Sequence, residues 1–297
     1  MTAGIAAGFA SVLLLCGSYV FSRSYICKHR DSVKLSVYSQ LLMALGGVAL
    51  LAGTLPFVDY PLCGRFWGFI GGIVCTFLLG QTSFLIMLKK VEATRAASLL
   101  GLKLMALAAI TVLTGNDLSG VQWMAVFLCT VAAVGMNFSG VRIPLTCFGW
   151  LMLAVFCYAS CDICITKLML MMPSKSMFIN ALCVIGSSYT ALGIAVIPGL
   201  LKYPPRRENF TDAVPFSLFY FCSMIFLFAS FGLIGVVFGS IIQAGRGIVS
   251  VLLGVVLLHL GIEKNEPQVS AGVWIRRAVM ALLMLSAIVM YSVSVGR

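Results

Sequence analysis

Residues 240–261 read SIIQAGRGIVSVLLGVVLLHLG. They form an apolar run of helix length that carries one arginine, Arg246, and no acid within four residues on either side. About 20 such residues span the hydrocarbon core of a bilayer. The run therefore predicts a transmembrane helix, and Arg246 is the residue in it that needs explaining. A cation near the bilayer centre costs at least ~2.5–3.5 kcal/mol. It is tolerated where it faces protein or a hydrated cavity, or where it snorkels to the headgroups. Gly245 and Gly247 flank it, thin the helix and let another backbone or a ligand approach. The planar guanidinium suits a carboxylate or a phosphate.

The rest of the chain repeats the pattern. Of 297 residues, 61% are hydrophobic and 10% charged, with mean hydropathy +1.07, against about 25% charged in soluble domains. A soluble globule is excluded, and the continuous apolar runs argue against the alternating strands of a membrane barrel. Ten candidate spans lie near 3–21, 35–56, 66–88, 96–115, 121–138, 148–172, 177–197, 214–234, 239–261 and 273–295. The least distinct boundary falls in GLIGVVFGS, between the eighth and ninth, where no charge intervenes. The N-terminus MTAGIAAGFASVLLLCG lacks a basic leader and reads as a first helix rather than a signal peptide.

Ten spans divide into two fives. LLGLKLMALAAITVLTG laid on IIQAGRGIVSVLLGVVLLHLG sets Lys103 opposite Arg246. LLLCGSYVFSR laid on FCYASCDICITK sets Arg23 opposite Lys167 and Ser18 near Asp162. A repeat of five spans re-enters the membrane from the opposite face, so the expected architecture is all-α, ten transmembrane helices as two inverted five-helix repeats. The net charge of +11 sits mainly in short connections, where membrane topology explains it better than nucleic acid does. Fourteen of the twenty Lys and Arg fall on the side of the odd-numbered connections and three on the other, which predicts both termini outside the cytoplasm. The sequons at Asn137 and Asn209 then lie on the cytoplasmic side and are expected to stay unmodified.

This ordered set resembles the drug/metabolite transporter superfamily, in its ten-helix EamA type. The resemblance rests on LLLCGSYVF near the start, with Cys16 where that family has an aromatic. It rests further on VEATRAASLLGLKLMALAAITVLTGNDLSGVQWMAVFLCTVAAVGMNF and on its second-half echo GSIIQAGRGIVSVLLGVVLLHLG. It implies residues 1–143 as the first five-helix repeat and 144–297 as the second, and secondary transport of small metabolites about a central cavity. Two features depart from it. The fourth span has GLKL where a proline is common, and the family places both termini in the cytoplasm.

Asp162 is the one acid well inside a span, and Lys167, five residues on, is poorly placed to pair with it along one helix. Arg246 and Lys103 are its expected partners across helices. Gln81, Gln243, Tyr158, Asn180 and Tyr189 are candidates to line a substrate cavity or to join helices through hydrogen bonds. Cys157, Cys161 and Cys164 share one helix face, a soft-metal pattern that also suits close packing, and no metal or cofactor is expected. No nucleotide-binding or hydrolase motif occurs. The expected function is therefore not enzymatic. It is secondary transport of a small polar, amino-acid-like or otherwise carboxylate- or anion-bearing metabolite, by a monomer or homodimer in the plasma or inner membrane. A membrane scaffold or accessory subunit that transports nothing is the alternative.

Overall fold

The computed structural model describes residues 1–88, 99–115, 117–136, 145–204, 207–246, 249 and 271–295. Among them no strand occurs. The helices are α1 (Thr2–His29), α2 (Ser32–Thr54), α3 (Gly64–Leu88), α4 (Lys103–Leu113, preceded by a 3₁₀ turn at Leu100–Leu102), α5 (Gly120–Met136), α6 (Leu145–Met171), α7 (Met177–Val196), α8 (Arg207–Ile234), α9 (Val236–Ala244) and α10 (Ala271–Val295). A single helical turn, Gly199–Lys202, lies between α7 and α8.

Seven of these helices, α1, α2, α3, α6, α7, α8 and α10, are long and apolar enough to cross a membrane. The protein is thus an all-α, multi-pass membrane protein. The fourth, fifth and ninth expected spans are shorter among the described residues: α4 has 11 residues, α5 has 17 and α9 has 9. Most of 247–261 lies outside the described residues.

Helix ends follow local chemistry. Asp31 caps α2, its Oδ1 accepting from the N–H groups of Val33 and Lys34 at 3.1 Å each. α1 runs on through the basic residues Lys28 and His29, with the Lys28 cation at the negative end of its dipole, and stops where Arg30 turns left-handed (φ 53). Between α8 and α9 the chain turns on one residue: Gly235 has φ 82, a conformation that a Cβ would strain. The uncharged stretch GLIGVVFGS therefore does contain a helix boundary.

The chain forms two compact units. One comprises Met1–Leu78 and Ser160–Gly239, the other Leu79–Ala159 and Ser240–Arg297. Each takes segments from both halves of the chain, and α3 and α6 pass from one unit into the other.

In the first unit α1 packs along α8, and α2 along α7. Small residues set the α2–α7 spacing. A Cβ built on Gly186 would lie 2.9 Å from Leu51 N, and one on Gly193 would lie 2.2 Å from the Ala44 Cβ. Membrane helices gain most of their attraction from such close backbone approach, because lipid is as apolar as leucine. The α1–α8 pair adds buried hydroxyls: Ser223 Oγ donates to Ser11 O at 2.8 Å and lies 3.1 Å from Ser11 Oγ. In the second unit α5 packs on α10, with Gly135 against the Met280 side chain. At the α2–α3 connection, Tyr60 Oη lies 2.6 Å from Thr54 Oγ1. Burial there, reinforced by a hydrogen bond involving Cys183, pushes the Tyr60 phenol above its usual range.

Candidate functional site

Each cation singled out from the sequence follows a local departure from α-helical geometry, and both lie in the second unit. Lys103, half-buried, is the first residue of α4. The 3₁₀ turn at Leu100–Leu102 precedes it, and its N–H reaches back to Leu100 O and Gly101 O. Gly101 is buried there because α5 is close: a Cβ would stand 2.6 Å from the Ala133 methyl. Arg246, also half-buried, follows a tight turn at the end of α9. Gly245 donates its N–H three residues back to Ile242 O at 2.9 Å, and Val249 then donates to Gly245 O at 3.3 Å. A Cβ on Gly245 would lie 2.9 Å from that same Ile242 carbonyl, so the tight turn favours glycine. Gln243, half-buried, lies one turn ahead of Arg246. Tight turns of this kind are common at helix ends.

Gln81 on α3 and Tyr158 on α6 meet in the same unit: Tyr158 Oη donates to Gln81 Oε1 at 2.8 Å. Gly80 makes room for this contact. A Cβ there would stand 3.1 Å from Tyr158 Cε1 and 3.2 Å from the Cys157 Cβ. The phenol and the amide are therefore held in one geometry, a polar pair joining two largely apolar helices.

The first unit contains Asp162, Asn180 and Tyr189. Asp162, on α6, is 8% exposed. The Thr166 hydroxyl on the next turn donates to the Asp162 main-chain carbonyl, at 2.9 Å, so it serves the helix backbone. The neighbouring thiols pack against α3: Cys161 Sγ lies 3.9 Å from Ile73 O, and Cys164 Sγ would be 3.2 Å from a Cβ on Gly72. No group of three or more His, Cys, Asp or Glu arranged to hold a metal occurs among the described residues. Asn180, 2% exposed, donates from Nδ2 to Ser174 O (3.1 Å) and Met172 O (3.5 Å), tying the start of α7 to the end of α6. Tyr189, 3% exposed, stands edge-on to Phe221, centroids 5.4 Å apart, and packs against Gly47. These two serve the helix packing, the interhelical role open to them from sequence.

One polar cluster escaped the sequence reading. Lys28 Nζ and His29 Nε2 each lie 2.7 Å from Asp212 Oδ2, and the His29 ring lies tilted against Tyr25 with centroids 4.5 Å apart. Lys34 Nζ approaches Asp31 Oδ2 at 3.3 Å. His29 and Asp212 are 183 residues apart. The available signal was a histidine and an aspartate, each at the edge of an apolar run.

No protein-family profile matches the sequence, and no curated protein does. A solved structure described only as "Crystal structure of protein" superposes with a TM-score of 0.64, covering 99% of this chain and 97% of that one at 12% identity. At that identity the likeness is one of fold, and it extends over nearly the whole length of both chains.

Proposed function

We propose that this protein is a secondary transporter of a small polar metabolite bearing a carboxylate or another anionic group, working by alternating access. One observation carries the reading: Lys103 and Arg246, equivalent when the two halves are aligned, each follow a locally tightened backbone turn in the second unit. Transporters built from inverted repeats use interrupted helices at matched positions to bind polar cargo near the midplane. Two matched cations offer such a cargo charge complementarity.

Four of the helix pairings fit a five-plus-five inverted arrangement. α2 packs with α7, α5 with α10, α1 with α8, and α3 with α6. Exchanging each helix of the first five with its counterpart five places on leaves this set unchanged. The pairs α2–α7 and α5–α10 map onto themselves, and α1–α8 exchanges with α6–α3. The drug/metabolite transporter resemblance implies the same pattern.

The Gln81–Tyr158 pair is the third element of the proposed binding face. The test is thermal stabilisation of the purified protein across a panel of amino acids, carboxylates and phosphorylated metabolites, repeated with Arg246→Ala. Stabilisation by particular anionic or zwitterionic compounds, lost in the variant, is the expected result. If nothing on the panel stabilises the wild type and the variant is merely less stable, Arg246 is a structural clamp and the protein a scaffold.

A further inference from the structure

At one end of the first unit the close of α1, the start of α2, the turn Gly199–Lys202 and the start of α8 meet. Lys28 on α1 reaches Asp212 on α8, and the Tyr38 hydroxyl on α2 donates to Pro204 O at 3.0 Å. A Cβ on Gly199 would lie 3.5 Å from Val37 Cγ2, so the turn rests against α2. Its own backbone is closed. The N–H of Leu200 donates to Ile197 O at 2.9 Å, that of Leu201 to Pro198 O at 3.2 Å and that of Tyr203 to Gly199 O at 2.9 Å. The turn is therefore fixed, and its side chains divide between two surroundings. Leu200 and Tyr203 pack on the core around Tyr25 and Tyr38. Leu201 faces outward, 91% exposed, with Ile197 at 51% one turn earlier. Lys202 is exposed beside it, its ammonium 5.8 Å from the Tyr203 ring centroid.

Two physical arguments name what covers this rim. A leucine and an isoleucine held outward on a fixed turn, with a lysine and a tyrosine next to them, match the layering of a bilayer interface. Acyl chains receive the apolar side chains, and the headgroup layer receives the ammonium and the phenol. The charge then decides which headgroup. Of the cations at this end, Lys28 pairs with Asp212 and also feels Glu208, and Lys34 lies 3.3 Å from Asp31. Arg30, Lys202 and Arg207 are exposed and form no salt bridge among the described residues. The rim thus holds more positive charge than its own carboxylates neutralise.

We propose that this rim is a binding surface for anionic phospholipid, with Ile197 and Leu201 in the acyl layer and Lys202 and Arg207 on the headgroup phosphate. Lys202 and Arg207 stand five residues apart, at the end of the turn and the start of α8. A guanidinium takes a phosphate through two parallel N–H bonds, and an ammonium adds a point charge. Each such cation near an anionic lipid surface raises affinity about fivefold. The surface lies outside the proposed cargo site, so it stands or falls apart from the transport reading.

The test is thermal unfolding of the full-length protein in a neutral detergent, titrated with phosphatidylglycerol or with phosphatidylcholine of the same acyl chains. The chains being equal, any difference reports the headgroup. For the wild type, half-maximal stabilisation is expected at about 25-fold less phosphatidylglycerol than phosphatidylcholine, two fivefold factors, and the gap should close at high salt. In the double variant Lys202→Gln, Arg207→Gln the two midpoints should coincide. Leu201→Ser should raise both midpoints alike and keep the gap. Glycerol 3-phosphate, the headgroup anion without chains, should not reproduce the lipid effect. Equal wild-type midpoints overturn the proposal, as does a gap that persists at high salt or in the double variant. So does stabilisation by glycerol 3-phosphate at the lipid's own concentration, which would make the rim a site for a free anion. The wild-type arms decide even if a variant does not fold.

Discussion

The α2–α7 seam gives the most quantitative prediction. Carbon contacts are comfortable at about 3.5–4.0 Å. A Cβ on Gly186 would meet three main-chain atoms: Leu51 N at 2.9 Å, and Gly47 O and Leu51 Cα at 3.2 Å each. Backbone atoms cannot swing aside as a side chain does, so α2 and α7 must separate by about 0.5 Å. Overpacking of this kind costs typically ~1–3 kcal/mol. At Gly193 the overlap is with the Ala44 Cβ at 2.2 Å, a deficit of about 1.5 Å, and the cost is at the upper end of that range or beyond it. Gly68 on α3 is the control, since nothing lies within 4 Å of its Cβ position. There Ala replaces Gly inside a helix, a change worth up to ~1 kcal/mol in favour of the fold. Thermal unfolding in detergent should therefore rank Gly68→Ala at or above wild type, Gly186→Ala several degrees below, and Gly193→Ala lowest. Equal melting of Gly186→Ala and Gly68→Ala would refute close backbone contact as the basis of the seam.

Three further predictions follow from other contacts. In a background otherwise free of cysteine, the exposed Cys63 should react with a membrane-impermeant maleimide on intact cells, and the exposed Cys27 only after permeabilisation. The reverse pattern would place both termini in the cytoplasm and defeat the charge count. Tyr158→Phe and Gln81→Leu should each cost about 1 kcal/mol of stability and be non-additive when combined, because both remove one hydrogen bond; strict additivity in a double-mutant cycle would argue against the pair. Asp212→Asn should lower the melting temperature and flatten its dependence on salt, since it removes the carboxylate that Lys28 and His29 share; an unaltered salt response would mean the cluster contributes nothing measurable.

The sequence revealed the fold class because hydropathy reports directly on what must sit in hydrocarbon. It misplaced helix ends for the same reason. α1 continues to His29 and α8 begins at Arg207, both several residues beyond the apolar core, because a helix persists through the headgroup layer where charged side chains are solvated. α8 also passes through Pro215, which does not end it. The break at Gly235 was invisible to hydropathy, being a matter of one backbone angle.

Site chemistry was legible in part. An isolated Asp or Arg in an apolar run stands out, so Asp162, Lys103 and Arg246 were identifiable, and their burial now has coordinates. Pairings across long separations were not. Gln81 meets Tyr158 77 residues away, and Asn180 spends its amide donors on the α6–α7 connection; neither choice leaves a periodic trace. The tightened turns before the two cations had a partial signal in Gly101 and Gly245, but glycine alone does not distinguish a close helix contact from a turn. In Gly101 it accompanies both.

The central claim is that Arg246 and Lys103 bind an anionic cargo that the protein carries. Counterflow in proteoliposomes of wild type, Arg246→Ala and Lys103→Ala tests it most directly, with radiolabelled amino acids and carboxylates as probes. The account predicts exchange of at least one such compound by the wild type, and at least a tenfold loss in each variant, equivalent to about 1.4 kcal/mol of lost binding per cation. Exchange at wild-type rates in both variants, or no exchange of any probe by a wild type that is folded and stably reconstituted, would contradict it.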